Sequence, residues 1–257
     1  MTLSEIKHLL ADRGLRPLKQ FGQNFLHDQN MCRWIVDQIQ PVSGARLLEI
    51  GPGLGAITEG ILQTGAPLVA VEKDRGLAAI LRERFDHLSN FDLREGDALD
   101  LLPELGAKEN FPVVCGNLPY NVSTPLIMTM LDWPQPPRRM VFALQKELGQ
   151  RLSTAPRTKD YSALSVIVQA EYTVEIVKKL PHTVFYPEPE VESAVVILQA
   201  RAEPLVAAEK RQAFRALVKK GFSQRRKKLS NLIGGTDSRR AEELTVEEWA
   251  AVTPESQ

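Results

Sequence analysis

The chain has 257 residues, 43% hydrophobic and 25% charged, with a formal net charge of zero; these values are ordinary for a globular protein with room for one sizeable core and a small appended domain. No run of about 18 apolar residues occurs, so no membrane-spanning helix is expected. Residues 1–14 include Glu5 and Asp12 and lack an apolar core, so they do not read as a secretory or mitochondrial targeting segment.

Residues 3–13 read as an amphipathic helix with Leu3, Ile6, Leu9 and Leu10 on one side. A polar and aromatic loop, 19–26, follows, and then a helix over 28–40 with Asp28 as its cap and Pro41 as its stop. The first strand, 46–50, runs straight into Gly51-Pro52-Gly53-Leu54-Gly55 and a helix over 56–64. Further strands are expected at 68–71, 91–94, 112–115 and 140–144, with helices at 76–87, 124–131, 146–152 and 162–170. Two closing strands, 172–178 and 194–198, have no helix between them, which suggests an antiparallel edge. Alternating strands and helices imply a mostly parallel sheet covered on both faces. Residues 201–204 read as a linker, and short helices are expected at 206–219, 224–232 and 245–252. This divides the chain into an α/β domain, 1–200, and a small all-α domain, 201–257. Cys32 and Cys115 lie far apart in apolar surroundings and read as reduced core residues of a cytoplasmic protein.

In an open α/β sheet, ligands bind at the carboxyl ends of the strands. Four such ends carry candidate residues. The first is the glycine turn, spaced G-x-G-x-G rather than the G-x-G-x-x-G of dinucleotide enzymes; it is either a nucleotide-cofactor cradle or a packing turn. Glu72, 19 residues after Gly53, is placed to accept hydrogen bonds from a ribose diol, or is a surface carboxylate. Asp97 could accept from an exocyclic adenine amine, or cap a turn or helix. Asn117-Leu118-Pro119-Tyr120 is the most informative: a neutral acceptor, a residue locked in φ and a flat aromatic face can together grip a planar amine. The four histidines show no ligand spacing, and no metal is expected.

Charge is unevenly spread. Residues 1–200 hold 20 Lys+Arg and 24 Asp+Glu, a net of −4, whereas residues 201–257 hold 12 and 8, a net of +4. Residues 219–228 carry six positive charges and no negative one, which is either a solvated face or a site for a polyanion.

The ordered set FGQNFL (21–26), LEIGPGLGAIT (48–58), VEKD (71–74), GDALD (96–100), NLPYNVSTPL (117–126), FYPEPEVESAVV (185–196) and FSQRRKKL (222–229) resembles the ribosomal RNA adenine N6-dimethyltransferases of the small subunit over nearly the whole chain. The resemblance implies a class I, Rossmann-like methyltransferase fold with a seven-stranded sheet, and S-adenosylmethionine (SAM) as donor. It also implies 16S rRNA within the small ribosomal subunit as the partner of a monomeric enzyme. The implied cofactor residues are Asn24, Leu26, Gly51, Glu72, Asp97 and Asn117. Asn117 and the backbone at Leu118 would accept the two N6 hydrogens of the target adenine, with Tyr120 and Phe185 stacking on either side of it. The products would be two adjacent dimethylated adenines in a loop near the 3′ end of the RNA. Relative to that family the tail is short, and residues 253–257 are expected to be disordered. Three other functions share parts of the pattern: a 23S rRNA adenine methyltransferase conferring antibiotic resistance, a non-catalytic RNA-binding assembly factor, and a protein glutamine methyltransferase. The last fits N-P-P-Y better than the N-L-P-Y present here.

Overall fold

The computed structural model describes residues 1–18, 21–41 and 44–253. Expectations placed on Lys19, Gln20 and residues 254–257 lie outside the described residues. Seven strands form one sheet in the order β4-β3-β2-β5-β6-β9-β7, where β2 is Leu47–Ile50, β3 Leu68–Glu72, β4 Phe91–Glu95, β5 Val113–Asn117, β6 Arg139–Gln145, β7 Tyr172–Leu180 and β9 Ser193–Ala200. The first five are parallel, with Leu47 opposite both Leu68 and Val113. β2 and β3 are buried along their whole length, which is why they read as mostly apolar runs, interrupted by Glu49 and ended by Glu72, rather than alternating ones. At the far edge, Thr173 Oγ1 at the start of β7 donates to Gln199 O at the end of β9 (3.3 Å), and Arg201 N donates to Glu171 O (2.9 Å), the opposition that antiparallel strands produce.

The order places β3 and β4 on one side of β2, and β5 and β6 on the other. Successive strands are therefore added in opposite lateral directions on either side of the β2–β5 junction, all of them parallel, and a crevice opens at the carboxyl ends of β2 and β5. Gly116 sits at this junction, opposite Ile50; a Cβ there would lie 2.3 Å from Ile50 O, so only glycine allows the two strands to pair this closely. Helices α1 (Leu3–Asp12), α2 (Gln29–Ile39), α3 (Ala56–Gln63), α4 (Arg75–Phe85), α5 (Ala98–Lys108) and α6 (Ser123–Leu131) accompany these strands. Their starts carry side-chain caps where the sequence offers them: Asp28 accepts from Met31 N, and Asp74 from Gly76 N and Leu77 N.

Three features differ from the sequence expectation. Helix α5 was not expected, because Pro103 and Gly106 lower its intrinsic propensity. Burial of Leu102 and Leu105 and close seating of Gly106 against Trp133 override that. A two-residue pair, β1 (Phe25–Leu26) with β8 (Phe185–Tyr186), is too short to announce itself in a sequence. The helix expected over 224–232 is confined to α10 (Ser230–Ile233), preceded by turns and a bridge between Lys228 and Arg240.

The chain forms two compact units: Met1–Lys146 with Val177–Ile197, and Glu147–Ile176 with Leu198–Gln257. The second unit thus draws in a segment well before residue 200, where a single break was expected. It contains α7 (Lys146–Ser153) from its second residue onward, α8 (Ala163–Glu171), α9 (Arg211–Phe222), α10 and α11 (Val246–Ala251). Its cohesion comes from side chains far apart in sequence. Phe222 packs between Tyr161 and Trp249, with ring centroids 6.0 and 5.7 Å away. The Tyr161 hydroxyl donates to Leu244 O at 3.0 Å. Glu171, nearly buried, meets Arg215 at 2.9 Å and Arg211 at 3.0 Å.

Candidate functional site

The crevice lies within the first unit and encloses about 1120 Å³, its open mouth included. Its floor is the turn after β2. Gly51, Gly53 and Gly55 all have positive φ (68°, 60° and 80°), a conformation that side chains resist, and the turn passes directly into α3. The ring of Phe25, itself a lining residue, lies against Gly53, 3.2 Å from where a Cβ would be, so the turn is also closely packed. The packing reading of the glycines therefore holds, and their positive φ leaves the turn open to a close approach.

Glu72 ends β3 and is 6% exposed. Its Oε2 accepts from Gly53 N (3.0 Å) and its Oε1 from Asp74 N (2.9 Å). Each oxygen keeps a lone pair for a ligand hydroxyl. Burial pushes this carboxyl up to about 7, against the pull of the two backbone N–H groups. Glu49, inside β2, also lines the crevice, accepts from Thr58 Oγ1 at 2.7 Å and is raised to about 7, chiefly by burial and further by the nearby Glu72. Sequence reasoning passed over Glu49. Its signal was present: an acidic residue inside an apolar strand must be buried.

Asp97 caps α5 through Leu99 N (2.9 Å), as its plainer reading held, and its other oxygen meets Lys73 Nζ at 2.6 Å. That ammonium holds Asp97 below the usual carboxylate range. Lys73 also lies 5.2 Å from the centre of the Phe21 ring, linking the N-terminal loop to this edge of the crevice.

Asn117 ends β5. Its Nδ2 donates to Asn24 O at 2.8 Å, which leaves Oδ1 as the open acceptor. Asn24 in turn donates through Nδ2 to Gly22 O at 3.1 Å. All six expected cofactor residues, Asn24, Leu26, Gly51, Glu72, Asp97 and Asn117, line this one crevice. Glu72, Asp97 and Asn117 reach it from three different strand ends because the parallel register brings those ends level.

The remaining three expected residues do not line it. Leu118 is 1% exposed, with its N–H donating to Ala143 O at 3.1 Å. Tyr120 is half-buried beside the rim residues Pro119 and Asn121, and its hydroxyl lies 3.1 Å from Ser193 Oγ. Phe185, expected to stack on a target base, is 3% exposed and packs in the core with Leu26, Val184 and Val195. The physical reason is strand alternation: pairing with β1 turns Phe185 inward, while Tyr186 packs beside Phe25 with Lys7 Nζ 5.3 Å from its ring centre.

In the second unit, the basic run is exposed but not uniform. Arg225 is committed to its own unit, donating to Lys159 O (3.0 Å) and Tyr161 O (3.1 Å) and pairing with Glu242 at 2.9 Å. Lys219, Lys220, Arg226, Lys227 and Lys228 are exposed. Among the described residues, no helix is long and apolar enough to cross a membrane.

Comparison with known proteins gives a consistent result. The family model for ribosomal RNA adenine dimethylase matches residues 15–256. The ribosomal RNA small subunit methyltransferase A of Alkaliphilus metalliredigens is 38% identical over 275 aligned positions, covering 98% of this chain and 96% of its own length. Its counterpart in Pseudomonas fluorescens is 44% identical over 216 positions, covering 84% and 79%. Among solved structures, a dimethyladenosine transferase from Plasmodium falciparum superposes with a TM-score of 0.69 at 24% identity, covering 81% of this chain and 74% of its own. The 23S rRNA methyltransferase ErmE gives 0.68, also at 24% identity, covering 88% and 96%. At these identities, the two structural likenesses bear on the fold.

Proposed function

The chain belongs to the ribosomal RNA adenine dimethylase family, and from that premise we propose that the crevice holds the donor and presents Asn117 to the amine of an extruded base. The protein is a SAM-dependent rRNA adenine N6-dimethyltransferase. We further read its target as two adjacent adenines in a loop near the 3′ end of 16S rRNA, reached within the small ribosomal subunit by a monomeric enzyme in the cytoplasm.

The residues fit the donor by their chemistry. Glu72 offers two oxygens with open lone pairs for a ribose diol. At Gly51, Gly53 and Gly55 the turn has no side chain to keep a methionine portion from the backbone. Asp97 and Ala98 lie at the rim where an adenine amine and ring nitrogen can be met. SAM supplies an activated sulfonium methyl, so the protein's task is placement and charge.

Adenine N6 is a poor nucleophile because its lone pair is delocalised into the ring. Asn117 Oδ1 accepts one N6 hydrogen, and a backbone carbonyl near Leu118 accepts the other. Positive charge grows on N6 as its bond to the methyl carbon forms and the carbon–sulfur bond breaks, releasing a neutral thioether and then an N6 proton to water, so these acceptors stabilise the transition state more than the ground state. Alignment of N6 with the methyl carbon supplies a further part of the barrier reduction. Tyr120 offers a ring face, and the base must leave its stack to reach it. Exposed Arg226, Lys227 and Lys228 meet phosphates.

The observation that carries this reading is the Asn117 amide, whose nitrogen is committed to Asn24 O and whose oxygen is left as the acceptor. The test is radiolabelled methyl transfer to purified unmethylated small subunits, with large subunits in parallel, followed by nucleoside analysis. N6,N6-dimethyladenosine in the small-subunit RNA is expected; label confined to large subunits would overturn the assignment.

A further inference from the structure

The FGQNFL segment contributes Asn24 and Leu26 to the crevice, but the proposed chemistry leaves Gln23 without a task. In the structure Gln23 is the bridge between this segment and α4. Its Nε2 donates to Asp74 Oδ2 at 3.0 Å, and its Oε1 accepts from Leu18 N at 2.7 Å. Asp74 is itself fixed: its Oδ1 caps α4 through Gly76 N (2.8 Å) and Leu77 N (3.1 Å), and its own N–H donates to Glu72 Oε1. The next residue after Gln23 supplies the carbonyl that receives Asn117 Nδ2. A continuous chain of hydrogen bonds and one peptide step thus runs from Glu72 through Asp74, Gln23 and Asn24 to Asn117.

We propose that Gln23 is a positioning residue: it anchors the Asn24 carbonyl and thereby sets the amide of Asn117 with its oxygen toward the reacting amine. An amide side chain is symmetric in shape, and only its partner decides which end faces the crevice. If the Asn24 carbonyl drifts, Asn117 can turn its NH₂ toward N6, where it would meet N–H groups with another donor. The same chain ends on the proposed ribose carboxylate, so donor binding and acceptor orientation share one scaffold. The assignment rests on the methyl-transfer reading above.

Two variants test it: Gln23→Ala removes both bonds, and Gln23→Glu, measured at about pH 8 where the carboxylate is ionised, keeps the acceptor for Leu18 N while losing the donor to Asp74. Amide hydrogen exchange across residues 22–26 in the ligand-free protein is read alongside steady-state kinetics on small subunits. Both variants are expected to speed exchange across the segment by about tenfold and to lower kcat by about tenfold, the scale of one hydrogen bond. KM for SAM should rise by less than kcat falls, since the glycine turn and Glu72 remain in place and only the Asn24–Leu26 side of the crevice loosens. Exchange at the wild-type rate in both variants, or a KM rise with kcat intact, would overturn the proposal. The near-isosteric Glu variant keeps the test open should the Ala variant fail to fold. A wild-type enzyme inactive on small subunits would instead defeat the functional reading, with the exchange result standing apart from it.

Discussion

The crevice of the first unit and the basic stretch of the second bind, on our reading, two parts of one reaction, yet they are built on opposite principles. In the crevice, polar groups are few, buried and individually directed: Glu72 holds two backbone N–H groups, and Asn117 is oriented by one carbonyl. In the basic stretch, exposed ammonium and guanidinium groups need no fixed geometry to attract phosphates. Losing one directed group should therefore be costly, whereas losing one of several exposed charges should be mild.

The strongest test of that contrast is Asn117→Ala. It should lower kcat by about 10²–10³-fold, the scale of removing one preorganised group at a site of developing charge. The variant should keep the wild-type thermal midpoint within a few degrees. Methyl transfer at near wild-type rates would break the contrast at its centre.

Glu72→Ala comes next. Loss of charge-assisted hydrogen bonds to a ribose diol should weaken SAM binding by about 10–100-fold, as read by calorimetry. An unchanged Kd would remove Glu72 from the donor site.

A third test uses acid. Burial holds the Glu72 carboxyl at about 7 in the free protein, and diol hydroxyls favour the ionised form. Binding should therefore tighten as pH rises through 7, by about tenfold between pH 6 and 8, with proton release on binding. For folding the sign is opposite to that of a salt-bridged carboxylate. An unfolded Glu ionises near 4.5, so ionising buried Glu72 and Glu49 weakens the free fold progressively from about pH 4.5 to about 7. A flat SAM affinity from pH 6 to 8 would show that Glu72 does not titrate on binding.

The smallest effects should separate two neighbouring arginines. Arg226→Ala should reduce the salt slope of RNA binding by about 1 and leave the melting temperature in place. Arg225→Ala should lower the melting temperature, because Arg225 is bound to Lys159 O, Tyr161 O and Glu242. Equal behaviour of the two would mean that the exposed run is not organised as described.

Legibility in the sequence followed the same divide. The central parallel strands declared themselves through mostly apolar runs, and the strand-end residues were visible because polar groups there interrupt the pattern. Helix α5 was hidden because its stability comes from packing on Trp133 and not from its own composition. The inward turn of Phe185 depends on a two-residue pairing that no periodicity can reveal. Gln23 was in view within a motif, but its partner Asp74 lies 51 positions away, and only folding brings them together. Charge counting found the basic stretch and could not tell Arg225 from Arg226.

The second unit is assembled from two stretches of chain, and Glu171 with Arg215 and Tyr161 with Phe222 each join one to the other. Anyone exchanging this unit between relatives must therefore transplant both stretches together. A chimera spliced at a single point near residue 200 would inherit a buried carboxylate from one parent and its two arginines from the other. Such hybrids should succeed only where the parents happen to agree across that seam.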